Sequence, residues 1–222
     1  MVDELSYYNR ALSQSEIASI YHAGSAGKCV APTTNNTPVL VDVDFGGGGI
    51  RPSAEAGPAA IGRDSSDFWN FYTRDDTNGN WLTFGILPNL KLVDGTVTGI
   101  GLTVDNAPGD WGNGSTDPMF NDYIYPFNGG NVTITVTNLP PGSYDLYAYS
   151  SDSSYQVNSG GMNYGIRSTY EPMATDPPVW IEGVSYVRCT NVVVTAGQPL
   201  VLTALPLHDG ANLPGLQIVS SG

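Results

Sequence analysis

Basic residues are scarce in this chain. Only 8 Lys and Arg stand against 21 Asp and Glu, giving a formal net charge of −13 over 222 residues. A surface of that sign repels phosphate backbones and anionic lipid, so nucleic acid is not an expected partner. Histidine is scarcer still. His22 and His208 are too few for a zinc site built on several imidazoles. The nucleophile elbow G-x-S-x-G does not occur. There are two cysteines, Cys29 and Cys189, and no C-x-x-C, which excludes a zinc knuckle or a thioredoxin-like motif. No run approaches the roughly 18 apolar residues that a membrane span needs, so no membrane insertion is expected. The first residues, VDELSYYNR, are acidic and do not read as a signal peptide. The chain is therefore expected to be either intracellular or a piece of a longer protein.

What the chain does have is strand and turn chemistry. Gly (27) and Pro (16) are abundant, as in proteins built from many short strands joined by tight turns. Hydrophobic residues reach 41%, enough for a core. Tyr (13) outnumbers Phe (6), which leaves many rings with a polar end for a surface or a binding face. The most regular stretch is NVTITVTNLPPGSYDLYAYS, residues 131–150. Val132, Ile134 and Val136 alternate with threonines, the period of a half-buried strand. Pro140 and Pro141 force a turn, and Tyr144, Leu146 and Ala148 are expected to return antiparallel as the second arm of a hairpin. Two strands are barely stable in water, so further strands and a second sheet must cover their apolar face. Strands are also expected at residues 39–45, 68–72, 81–86, 96–104, 155–157, 165–169, 180–190, 191–194, 200–205 and 213–219, with almost no helix after residue 24.

The N-terminal segment is different. Residues 2–8 read as a strand, Ser13 and Glu16 form a capping box, and Ile17, Ile20 and Tyr21 make an apolar stripe at helical spacing that Gly24 ends. Asp3-Glu4, Tyr8-Asn9-Arg10-Ala11-Leu12, Ser13, Glu16-Ile17 and Tyr21 together resemble the closing segment of laminin-G-like, concanavalin-A-type jelly-roll domains of bacterial extracellular proteins. The resemblance covers about the first 29 residues. It implies a strand-plus-helix remnant at 1–29, a linker at 30–38 (VAPTTNNTP), and a separate module at 39–222. It also implies an extracellular or cell-surface setting beside other domains of a longer chain.

The module itself resembles the galactose-binding-like jelly rolls of carbohydrate-binding modules, through NLPPGSYDLYAYS and the ending VTAGQPLVLTALPLHDGANLPGLQIV. VDVDFGG, GPAAIG and DFWNFY are similar to segments of modules in large bacterial surface proteins. The expected fold is all-β, an antiparallel β-sandwich of the jelly-roll, galactose-binding-like kind, with one short N-terminal helix.

Three chemistries fit this frame. Catalysis by paired carboxylates requires two acids in one cleft. Most of the acids here lie beside Gly, Asn or Ser and read as turns, leaving Glu171 and Glu182 as the least turn-like. A site around His208 and the neighbouring Asp209 competes with a solvated turn histidine. Calcium is the second chemistry. Asp76, Asn78 and Asn80 place oxygens at alternate positions, a spacing that can converge on a hard cation, or else build an Asx-rich hairpin turn. The galactose-binding-like resemblance implies one structural Ca²⁺. Cys29 and Cys189 stand either as a disulfide, worth roughly 5 kcal/mol on the chain-entropy model, or as two buried thiols.

The third chemistry is sugar binding, which needs a ring face for C–H bonds and amides or carboxylates for hydroxyls. Trp111 stands in APGDWGNGSTDP without apolar neighbours. It is either a stacking platform, with Asp110, Asn113 and Asp117 as hydroxyl partners and Tyr123 and Tyr125 flanking, or a plug over the sandwich edge. Trp69 and Trp81 lie in apolar runs and read as core, and Trp180 fits either role. The leading expectation is a non-catalytic module that binds a glycan or polysaccharide. The alternatives are a structural or adhesive spacer without a small ligand, and a glycoside-active enzyme fragment.

Overall fold

The computed structural model describes residues 38–48, 55–170, 176, 178–208 and 210–221. The strand, helix and linker expected over residues 1–37, and with them Cys29, lie outside the described residues. So does Glu171. The described chain contains β1 (Leu40–Gly46), β2 (Trp69–Thr73), β3 (Phe84–Leu87), β4 (Gly101–Asp105), β5 (Gly109–Gly112), a four-residue helix α1 (Pro118–Asn121), β6 (Asp122–Tyr125), β7 (Val132–Thr137), β8 (Gly142–Tyr149), β9 (Ser154–Ser159), β10 (Met162–Ser168), β11 (Tyr186–Val194), β12 (Leu200–Leu205) and β13 (Gly215–Ser220).

These strands form a sandwich of two sheets and a separate ribbon. The five-stranded sheet runs β11-β8-β13-β1-β2, the six-stranded sheet runs β10-β9-β12-β7-β4-β3, and the ribbon is β5-β6. Pairing is antiparallel except between β1 and β2, which run parallel. The fold is therefore an all-β antiparallel sandwich. Its interior is filled by alternate residues of both sheets, among them Val41, Val43, Phe45, Leu146 and Ile218 from one and Val104, Ile134, Val136 and Leu202 from the other. Period-two patterning thus places every second residue inward, as a strand with one core face requires.

The two arms of the 131–150 stretch do not form the expected hairpin. β7 pairs with β4 and β12, whereas β8 pairs with β11 and β13, so the arms belong to opposite sheets and face each other across the core. The turn explains why. Asn138 takes a left-handed φ of 60°, Leu139 is buried, and Pro140 and Pro141 offer no N–H to a ladder. The chain consequently steps over the edge of the sandwich. The Tyr144 hydroxyl then donates to the Pro140 carbonyl at 2.6 Å and pins the step.

The outer face of the five-stranded sheet is covered as well, which is why β1 is buried at every position, including Asp42 and Asp44. A strap, residues 55–67, lies over that face. The Trp69 indole donates to the Gly57 carbonyl at 2.8 Å, and the Ala60 N–H donates to the Tyr149 hydroxyl at 3.0 Å. The Gln217 amide donates to the Ile61 carbonyl at 3.1 Å. Trp69, Met119, Phe120, Tyr147 and Tyr149 pack there as a second, smaller core.

Candidate functional site

The β5–β6 ribbon carries most of the residues expected at the site. Residues 105–122, read from the sequence as one long loop, contain β5 and α1. The ribbon register pairs Gly109 with Tyr125, Asp110 with Ile124, Trp111 with Tyr123 and Gly112 with Asp122. Directly opposed residues of an antiparallel pair share a face. Trp111, Tyr123 and Tyr125 therefore point one way, and Asp110, Ile124 and Asp122 the other. Trp111 is 63% exposed. It is not a plug. The Tyr123 and Tyr125 rings lie 6.0 Å apart, edge to face.

The inward face anchors the ribbon. Asp122 accepts the Gly47 N–H at 3.2 Å, and Asp75 accepts the Gly48 N–H at 2.6 Å. A Cβ at Gly46 would overlap the Asp122 carboxylate, and one at Gly47 would overlap that of Asp110. Gly46, which ends β1, and Gly47 after it are thus a requirement of close approach. Arg74 reaches the same place. It donates to the Pro108 carbonyl at 2.6 Å, and its other nitrogens lie 3.1 Å from Asp75 and 4.0 Å from Asp110. Ile124 and Leu213 exchange backbone hydrogen bonds of 3.3 and 3.1 Å, tying the ribbon to the β12–β13 loop.

Two expected hydroxyl partners are therefore corrected. Asp110 is turned inward with its side chain 1% exposed, and does not share the face of Trp111. Asp117 is the N-cap of α1: its carboxylate accepts the Phe120 N–H at 2.9 Å, ahead of Pro118 in the first turn. Burial nonetheless pushes the Asp117 carboxyl up, against the hydrogen bonds from Phe120 and Met119. The Asp-Pro pair was a visible helix-start signal that the loop reading missed. Asn113 lies on the exposed side, just past Trp111, and its amide donates to the Phe120 carbonyl at 3.1 Å, which fixes its orientation.

Asn113 and Tyr123 line a polar cleft with Ser150, Ser151, Asp152, Asn212 and Pro214. Its far walls are the β8–β9 and β12–β13 loops, which nothing in the sequence connected with Trp111. Both loops are held in place. The Tyr155 hydroxyl lies 2.7 Å from the Tyr149 carbonyl and 2.6 Å from that of Asn212, and the Asn212 N–H donates to the Ser153 hydroxyl at 2.8 Å. His208 places Nδ1 2.7 Å from Asp152 at the rim; Asp209, its sequence neighbour, lies outside the described residues.

The remaining expectations fall elsewhere. Asp76 Oδ1 accepts the N–H groups of Asn78 and Asn80 at 2.7 and 2.8 Å, and Oδ2 accepts from the Asn80 amide at 2.9 Å. That is an Asx turn. A calcium site needs six to eight oxygens converging at about 2.3–2.6 Å. Here Asn80 presents nitrogen to Asp76, so the three residues do not fit a cation as one ligand set. Among the described residues no group of three or more His, Cys, Asp and Glu is arranged to hold a metal. Cys189 is a buried free thiol on β11, 3.5 Å from an Arg167 nitrogen, and burial raises its pKa. Glu182 is exposed, and Arg188 pairs with Asp145 at 2.6 Å.

The tryptophans divide. Trp69 is 5% exposed, as expected. Trp180 packs on Phe120 and Tyr149. Trp81 is corrected: it is 58% exposed, because β3 begins only at Phe84 and Trp81 sits before it, bridged to Asp75.

No family model matches the chain, and no curated protein matches it. Similar solved structures include protein YxiM of Bacillus subtilis, 17% identical with a TM-score of 0.40 over 82% of this chain. The chain spans 40% of the length of that protein. A family 35 carbohydrate-binding module from Clostridium thermocellum is 15% identical, with a TM-score of 0.34, covering 54% of this chain and 92% of the module. A family 61 carbohydrate-binding module solved with β-1,4-galactotriose is 11% identical, with a TM-score of 0.28, covering 64% of this chain and 88% of that one.

Proposed function

We propose that this protein is a non-catalytic carbohydrate-binding module of an extracellular or cell-surface protein. We further propose that it binds glycan on the outward face of the β5–β6 ribbon and in the adjoining cleft. One observation carries the reading: an exposed indole, Trp111, and the half-buried Tyr123 opposite it share a face, and Tyr123 and the neighbouring Asn113 both line a polar cleft. A sugar presents an apolar C–H face and a rim of hydroxyls. An aromatic face beside amide, hydroxyl and carboxylate groups complements both. The ribbon is fixed by backbone hydrogen bonds and the loops by the Tyr155 and Ser153 hydroxyls, so little ordering has to occur on binding.

A glycan array followed by calorimetry on the strongest hit tests this. Trp111→Ala should weaken binding about thirtyfold, the scale of a roughly 2 kcal/mol tryptophan hot spot, with an unchanged melting temperature. Silence across the array at high protein concentration would favour the spacer reading. Full affinity in a folded Trp111→Ala variant would move the site away from the ribbon.

A further inference from the structure

Beyond Trp111, the outward face of the ribbon continues into a row of rings. Tyr123, Tyr125 and Phe127 alternate along β6 and past its end, with buried residues between them. Successive ring centroids lie 6.0 Å apart from Tyr123 to Tyr125, 5.6 Å from Tyr125 to Phe127 and 5.5 Å from Phe127 to Trp81. The Tyr125 ring lies where a Cβ on Gly109 would be, so a glycine across the ribbon lets it settle on β5. Phe127 is 53% exposed and Trp81 is 58% exposed.

Trp81 is held for this position. The Arg74 guanidinium carbon lies 4.6 Å from its ring centroid and covers one face of the indole. Arg74 is itself fixed by Pro108, Asp75 and Asp110, with its side chain only 12% exposed. The Asx turn of Asp76 closes the segment from which Trp81 emerges. The row also has a polar margin: Asn106 and Asn128, beside Phe127, hold each other through their amides at 3.3 and 3.4 Å.

We propose that Trp81, Phe127, Tyr125 and Tyr123 extend the Trp111 site into a track for one linear, neutral polysaccharide chain. The ligand is then a run of consecutive sugar rings and not a single terminal sugar. A succession of rings 5.5–6.0 Å apart suits a polymer whose C–H faces repeat, and the tyrosine hydroxyls and margin amides suit its hydroxyl edges. Neutrality follows from charge. The chain carries −13 overall, and Arg74, a cation beneath the row, is already engaged by two carboxylates, which disfavours a polyuronate. This inference rests on the carbohydrate reading of Trp111.

The test uses β-1,4-linked gluco-, manno-, xylo- and galacto-oligosaccharides of two to six sugars, with oligogalacturonates as the anionic comparison, titrated into the protein by calorimetry. Affinity for one neutral series should rise with chain length. Trp81→Ala should remove about tenfold from the hexasaccharide and nothing from the disaccharide, and Phe127→Ala should act in the same direction. Trp111→Ala should weaken both lengths. Circular dichroism and thermal melts confirm that each variant is folded. Hexasaccharide binding that needs Trp111 but is indifferent to Trp81 and Phe127 overturns the track alone. Preference for the oligogalacturonates overturns the neutral class. A native protein that binds none of these chains, or binds them independently of Trp111, overturns the carbohydrate reading and the track with it.

Discussion

On the back of the five-stranded sheet, Tyr149 sits 5.1 Å from Trp180 and 5.9 Å from Tyr186, and Trp180 sits 5.9 Å from Phe120. Along the ribbon, Trp81, Phe127, Tyr125 and Tyr123 stand at the same separations, edge to face. The two clusters share residue types and ring geometry and differ in what lies over them. The first is covered by the strap, whose backbone groups take the polar ends of its rings: Gly57 accepts from Trp69 and Ala60 donates to Tyr149. The second has its inner side filled by Arg74 and the aspartates around Gly47, and its outer side left open. Ring contacts alone therefore do not identify a core. What lies over them does: strap backbone meets the polar ends of Trp69 and Tyr149, while Trp81 and Phe127 are 58% and 53% exposed.

The sharpest way to break this comparison is to truncate one tryptophan from each cluster. Trp69→Ala removes a buried indole and leaves the Gly57 carbonyl without its donor. It should cost about 3–5 kcal/mol in urea unfolding. Trp81→Ala, at an exposed position, should stay within about 0.5 kcal/mol of native. Equal losses would mean that the ribbon cluster is a core.

The closed cluster should also respond to pH in a way the open one does not. Asp42 lies on the strap side of β1, opposite Trp69 and Gln217 in the register. Burial pushes its carboxyl up to about 8, with Asp67 and Glu55 adding to the rise and the Gln217 amide and Arg63 opposing it. The native state then keeps a proton that the unfolded chain, at 3.8, has already lost. Stability is fully present below about pH 4 and falls as pH rises towards 8. At about 1.4 kcal/mol per pH step, the loss across that window is a few kcal/mol. Asp42→Asn, which keeps the shape of the neutral acid, should flatten this slope. An unchanged slope in chemical denaturation between pH 5 and 8 would show that Asp42 is ionised in the fold.

A smaller effect should join stability to binding. Gly47→Ala forces the Asp110 carboxylate off the end of β1, a strain of about 1–3 kcal/mol. Because Asp110 is on the strand that carries Trp111, the change should also lower glycan affinity. Full affinity with lowered stability would mean that the ribbon holds its shape independently of that anchor.

How much of this could be read in advance follows from which signals are local. Alternation fixed the existence of most strands, and the limits of 200–205 were read to the residue. Sheet membership was not local. The Val132–Thr137 arm and the Tyr144–Tyr149 arm read as a hairpin because sequence neighbours often pair and two prolines signal a tight turn; in the fold they carry the chain between sheets. Trp111 was found because nothing apolar surrounds it. Trp81 was missed because WLTFGI is apolar, whereas β3 begins only at Phe84 and leaves Trp81 before it in solvent. The cleft walls at Ser150–Asp152 and Asn212–Pro214 lie far from Trp111 in sequence and meet it only through the Ile124–Leu213 pairing.

The smallest expected effect separates two roles for Asp76. As a turn builder, its carboxylate is held below its ordinary range by the Asn80 amide and by the backbone N–H groups of Asn80 and Asn78. Its depressed pKa means that the turn is intact at neutral pH and loosens only in acid, when the carboxyl takes a proton. As a calcium ligand it would instead respond to chelation at neutral pH. The hydrogen bonds favour the first role, since both oxygens already accept from the turn. Excess chelator should therefore leave the melting temperature unchanged, because no ion bound to the native state alone is being removed. Asp76→Ala should lower affinity for a long chain severalfold by freeing Trp81, and leave short-chain binding at Trp111 untouched. A melting temperature that drops on chelation and returns with Ca²⁺ would reverse the assignment. It would make the turn a metal loop that supports the open end of the ring track.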